Sequence, residues 1–166
     1  DRSPIDLTDP DAARWLTACV WPDQSDRFER LRAAIGLVEQ HPPEIRAGDA
    51  LDLVVSAARS TSHDGHPVVL NSWVLNYLTT EEQRRYVDQL DVLGREIDLS
   101  WVYAEAPALC PGIPFPAHLR DEHITVVMAV RWRDGRRATQ LLGTAHPHGY
   151  WWQAPILGTP AGRPHG

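Results

Sequence analysis

The chain contains no lysine; all 16 of its basic side chains are arginine. That excludes chemistry resting on an ε-amino group, such as Schiff-base formation, pyridoxal attachment or a phosphate-loop lysine. It also suggests GC-rich coding. None of the 11 glycines stands in a Gly-x-Gly triplet, so no glycine-rich loop lets backbone approach a phosphate or dinucleotide. The two cysteines, Cys19 and Cys110, fit neither a metal spacing nor a disulfide framework. Both are expected as core thiols in a reducing compartment. No apolar run is long enough to cross a bilayer, and no signal peptide is present, so a cytoplasmic protein is expected. Net charge is −6, which gives no general attraction to nucleic acid or to an acidic membrane, and neither is expected as a partner.

What is present fits one globular α/β domain over residues 1–153 and a flexible, Pro/Gly-rich tail at 154–166. The seven tryptophans are expected mostly in a core or an interface, because indole buries a large area. Arg120, Arg131, Arg133, Arg136 and Arg137 form a local basic stretch. Asp121, Glu122 and Asp134 lie within it, which favours a solvated hairpin over a phosphate track.

Asp9-Pro10-Asp11 starts a helix that runs to about Val20. Ser25 caps a second helix carrying Phe28, Leu31, Ile35 and Val38 at helical spacing, and His41-Pro42-Pro43 ends it. Glu44 to Gly48 reads as a short strand, and Ala50 to Arg59 as a helix with Leu51, Val54, Val55 and Ala58 on one face. Pro67 to Asn71 is an apolar run of the kind found in buried parallel strands. Ser72 to Leu78 is a linker or short helix, and Thr79-Thr80-Glu81-Glu82 is a capping box before a helix carrying Tyr86, Val87, Leu90 and Leu93. Ile97 to Ala104 is the next strand. Pro107 to Pro116, with four prolines, is irregular. His123 to Trp132 alternates, Asp134-Gly135 is a tight turn, and Arg136 to Thr144 returns as the antiparallel partner. Strands alternating with helices predict a mostly parallel sheet with helices on both faces, closed by an antiparallel hairpin.

Five segments together resemble an uncharacterised bacterial family, a domain of unknown function that is similar to S-adenosylmethionine-dependent methyltransferases. They are Pro4 to Pro10, Trp15 to Gln24, Arg46 to Leu53, Ser72 to Leu78 and Leu141 to Gly149. The resemblance implies an incomplete Rossmann-like fold of the class I methyltransferase kind, of which this chain is the C-terminal part. It places a glycine-containing loop upstream of Asp1, so this chain alone is expected to be inactive. It implies S-adenosylmethionine as cofactor, with Asp1 on the ribose hydroxyls, Gly48-Asp49-Ala50 at the adenine, and Asn71, Ser72 and Trp73 facing substrate beyond the fourth strand of that fold. The methyl acceptor, a small molecule or a protein, stays open.

Each position also has a plain reading. Asp49 is well placed to cap the helix after it. Asp1 sits at an open terminus, Asn71 can satisfy backbone groups at a strand end, and Trp73 and Tyr77 can be packing. The pairs His63/His66 and His146/His148 lack a third ligand, so no metal is expected. No Gly-x-Ser-x-Gly elbow occurs. The alternative to an enzyme is a degenerate, non-catalytic domain acting in assembly. Without an upstream strand beside it, the edge at Val68 to Asn71 is bare, and a homo-oligomer is expected to cover it.

Overall fold

Asp9 starts helix α1 (Pro10–Ala18): its carboxylate accepts a hydrogen bond from the Asp11 amide at 2.9 Å, and Pro10 fills the first helical position. Helix α2 (Ser25–Gln40) begins with Ser25 already inside it; the residue before, Gln24, makes no side-chain cap, so the expected Ser25 cap is not formed. The computed structural model describes residues 2–109, 112–114, 116–119 and 123–155. The expectations placed on Asp1, Cys110, Arg120, Asp121, Glu122 and the tail from residue 156 lie outside the described residues.

Residues 44–48, expected as a strand, are irregular. Pro42 and Pro43 offer no amide hydrogen to a ladder, and Ile45 is 52% exposed, so burial does not hold this run extended. The chain divides after Ala50 into two compact units. In the first, no described residue is buried. Trp15 and Trp21 are exposed, and so is Cys19, which was expected in a core. Ala13 and Thr17 of α1, with Phe28 and Ile35 of α2, line a groove of about 710 Å³.

The second unit starts at Leu51, within helix α3 (Ala50–Thr61), and continues as strand β1 (Val68–Ser72), a 3-10 turn (Leu75–Tyr77), helix α4 (Thr80–Leu93) and strand β2 (Leu99–Glu105). Strands β3 (Thr125–Arg133), β4 (Arg136–Ala145) and β5 (Trp152–Gln153) complete it. The capping box forms as expected: Thr79 Oγ1 accepts from the Glu82 amide at 3.3 Å, and Glu82 Oε2 accepts from the Thr79 amide at 2.7 Å. Asp134 and Gly135 take φ of +50° and +70°, the two left-handed positions of a tight hairpin turn between β3 and β4.

The strands lie in the order β1-β2-β3-β4-β5. Only β1 and β2 are parallel, joined through α4; the remaining neighbours are antiparallel. The fold is therefore mixed α/β with a mostly antiparallel sheet, not the mostly parallel sheet that the sequence led us to expect. The reason lies after β2. A parallel partner needs a long crossover, usually a helix, to return the chain to the starting end. Between Glu105 and Thr125 the described residues supply only two 3-10 turns, Pro107–Leu109 and Ala117–Leu119, so β3 runs back from the end where β2 stops.

One core fills the second unit. Leu51 and Ala58 of α3 and Tyr86, Val87, Leu90 and Leu93 of α4 share a cluster with Leu99, Trp101 and Tyr103 of β2 and Val126, Met128, Val130 and Trp132 of β3. The two helices thus pack on one sheet face, not on both. Gly94 allows the closest approach, because a Cβ there would collide with the Trp132 indole. Of the tryptophans, Trp101 and Trp132 are buried and Trp73 is half-buried, while Trp15, Trp21, Trp151 and Trp152 are exposed, so most do not serve this core. Among the described residues, no helix is long and apolar enough to cross a membrane.

Candidate functional site

In open α/β sheets ligands approach the carboxyl ends of parallel strands. Here that end is made by β1 and β2, in register Asn71 to Tyr103 and Ser72 to Ala104. Directly after β1 the chain turns sharply. Trp73 has φ of +54°, a left-handed backbone that a bulky side chain adopts only under constraint from its surroundings. Three bonds impose it. The Trp73 amide donates to the Ala104 carbonyl at 3.0 Å, its indole N–H donates to Thr125 Oγ1 at 3.1 Å, and the next amide, of Val74, donates to Glu105 Oε1 at 2.8 Å.

Glu105 organises this turn. It is fully buried, and its Oε1 also accepts from Asn71 Nδ2 at 3.0 Å and from the Leu75 amide at 3.2 Å. Its Oε2 is buried with no hydrogen-bond partner among the described residues. Burial pushes the Glu105 carboxyl above the ordinary glutamate value, opposed by the three hydrogen bonds from Leu75, Val74 and Asn71, which favour the charged form. The buried Tyr86 phenol is pushed up to about 12, first by burial and then by the Glu105 charge. Asn71 is committed at both ends, because its Oδ1 accepts from the Trp101 indole N–H while its Nδ2 serves Glu105. Trp101 in turn packs against Tyr103 with the rings tilted and their centroids 4.4 Å apart, and meets Tyr86 edge-on at 5.8 Å.

The structure therefore brings Asn71, Ser72 and Trp73 together with Glu105, Trp101 and Thr125. Asn71 is buried, Trp73 half-buried, and Ser72 exposed with no side-chain hydrogen bond among the described residues. Gly48 and Asp49 belong to the first unit, where Asp49 accepts from the Arg2 guanidinium, with Nε at 3.0 Å. Ala50 is the first residue of α3. Asp1 is outside the described residues.

Glu105 was missed by the sequence reading, which ended that strand at Ala104. A signal existed. Trp101, Tyr103 and Glu105 alternate onto one face, so a carboxylate at the next inward position must be buried and must find donors. One histidine of the first pair is engaged across the sheet and the second pair by a local bond. His66 Nε2 lies 2.9 Å from Ser100 Oγ, and His146 Nδ1 accepts from the His148 amide at 3.0 Å. Among the described residues no group of three or more His, Cys, Asp or Glu side chains could hold a metal ion. A cleft of about 770 Å³ lies between α3 and α4, lined by Val55, Arg59, Arg85 and Val92, and contains none of the turn residues.

With this geometry in view, residues 1–153 match the model of a family described as an uncharacterised protein conserved in bacteria (DUF2332), and the chain belongs to that family. No curated protein and no solved structure matches the chain.

Proposed function

We propose that the turn after β1 is the ligand-facing edge of a methyltransferase-like domain, occupying residues 1–153 and acting in the cytoplasm. In this reading the cofactor is S-adenosylmethionine. The observation that carries it is the left-handed Trp73, held at the carboxyl end of the parallel pair by Thr125, Ala104 and the Glu105 clamp. Strain of this kind concentrates where a chain must present groups to a ligand. Asn71, engaged at both ends, acts by positioning; the exposed Ser72 hydroxyl and the Trp73 ring are the groups left to meet a ligand. The contribution to rate would be proximity and orientation of methyl donor and acceptor.

Calorimetric titration of S-adenosylmethionine into the protein, including whatever residues its gene places before Asp1, tests this. Saturable heat that Ser72→Tyr weakens while the melting temperature holds supports the reading. Absence of heat at millimolar ligand sinks it.

A second reading, non-catalytic assembly, is favoured by the free edge of the sheet. β1 pairs only with β2 among the described residues, and Val68 and Leu70 are 57% and 74% exposed. An antiparallel copy of β1 across a two-fold axis would complete the backbone ladder and cover both side chains. Equilibrium sedimentation decides it: a dimer that Leu70→Lys dissociates supports self-association, and a monomer at all accessible concentrations removes it.

A further inference from the structure

The end of the sheet opposite the Trp73 turn holds a further concave feature. Ser100, Arg131 and Ala138 form one row across β2, β3 and β4, and Arg133 faces Arg136 in the next row toward the hairpin turn. Small residues flank Arg131 on both sides, which leaves a depression over the ladder. With His66, Arg137 and Trp132 it becomes a cleft of about 640 Å³. Its charge is out of keeping with a chain of net charge −6. The nearby carboxylates are already engaged. Asp91 accepts from Arg137 at 2.7 Å and from the Trp132 indole at 2.9 Å, while Asp98 accepts from the Asp134 amide at 2.9 Å and is only 3.9 Å from Arg133. Arg131 and Arg136 have no carboxylate partner among the described residues. Arg133 faces Arg136 directly across β3 and β4, and like charges so placed repel, weakly where both are exposed; the Asp98 carboxylate, 3.9 Å from Arg133, offsets part of that repulsion.

We propose that this cleft binds the phosphate or pyrophosphate group of a small molecule. Arg131, Arg133 and Arg136 supply guanidinium forks, whose planar paired N–H groups match phosphate oxygens. The Ser100–His66 pair, linked at 2.9 Å, closes the inner end with a hydroxyl and an imidazole. The site lies at the amino end of β2, away from the Trp73 turn, and is independent of the methyltransferase reading.

Calorimetry with inorganic phosphate, pyrophosphate and adenosine diphosphate tests it on the intact protein. Pyrophosphate is expected to bind, with Arg131→Gln and Arg136→Gln each weakening binding about tenfold by removing one charge-assisted fork, and Arg84→Gln, outside the cleft, leaving it unchanged. Adenosine diphosphate binding tighter than pyrophosphate identifies a phosphorylated organic ligand; equal binding identifies the free oxyanion. Both arms keep the proposal. As a readout independent of affinity, pyrophosphate should raise the melting temperature of the wild type and not of the double variant. No binding at millimolar ligand, binding that survives the double substitution, or preference for a single-stranded oligonucleotide over pyrophosphate overturns it.

Discussion

The two units are built from comparable local signals and end in opposite states of burial. α1 has a capping aspartate and a proline at its first turn, and α4 has a full capping box. Yet no described residue of the first unit is buried, whereas α4 alone buries Gln83, Tyr86, Val87, Leu90 and Leu93. The difference is the sheet. β2 and β3 offer α4 a continuous apolar face that includes Trp101, Met128, Val130 and Trp132, and nothing comparable lies among residues 2–49. Caps decide where helices begin; an apolar partner surface decides what they stabilise.

That contrast can be broken most severely at Glu105. Glu105→Ala strands the amides of Val74 and Leu75 and the Asn71 side chain, and should cost about 4 kcal/mol in denaturant unfolding, given roughly 1–3 kcal/mol per buried group left without a partner. A loss below about 1 kcal/mol would show that the turn does not depend on the clamp. Next comes Gly94→Ala. Its methyl group would run into Trp132, and overpacking predicts a loss of about 2 kcal/mol in the same assay. An unchanged midpoint would mean that α4 and the indole separate at little cost.

The pH dependence of unfolding sharpens the comparison. The folded Glu105 carboxyl holds its proton to higher pH than in the unfolded chain. Between the ordinary glutamate value and the raised folded value, the native state therefore binds more protons than the unfolded state. This group's contribution to stability falls as pH rises through that window and is flat on either side. Glu105→Gln, which keeps an oxygen for the same donors, should remove that slope. A slope unchanged in the variant would assign it to other groups. The smallest effect belongs to the first unit. Trp15 is 63% exposed, so Trp15→Ala should change stability by no more than about 0.5 kcal/mol. A loss above about 2 kcal/mol would mean that this face is covered in solution.

Much of the fold was legible because its signals are local. The Thr79 and Glu82 capping box, the Asp134-Gly135 turn, and the alternation from Val126 to Trp132 each specify their element within a few residues. The expected strand at Glu44 to Gly48 failed because a short run of suitable residues does not make a strand by itself; it needs a paired neighbour and buried side chains. Cys19, expected in a core, is exposed for a related reason, and four of the seven tryptophans lie outside the core. A large apolar side chain is drawn to burial only where a surface exists to receive it. The candidate site was half visible. Asn71, Ser72 and Trp73 could be placed at a strand end, but the carboxylate that orders them sits 34 residues beyond Asn71. Only the parallel pairing of β1 with β2 makes them neighbours.

By itself, the sequence determined the chemical repertoire, with no lysine and no glycine-rich loop, and the helices and hairpin whose hydrogen bonds close over short stretches of chain. The tertiary structure alone decided the direction of β3, the burial of Glu105, and the gathering of Arg131, Arg133 and Arg136 beside Ser100. These are long-range outcomes. They depend on which strands meet and in what register, and that is set by how the whole chain can pack its apolar face rather than by any local run of residues.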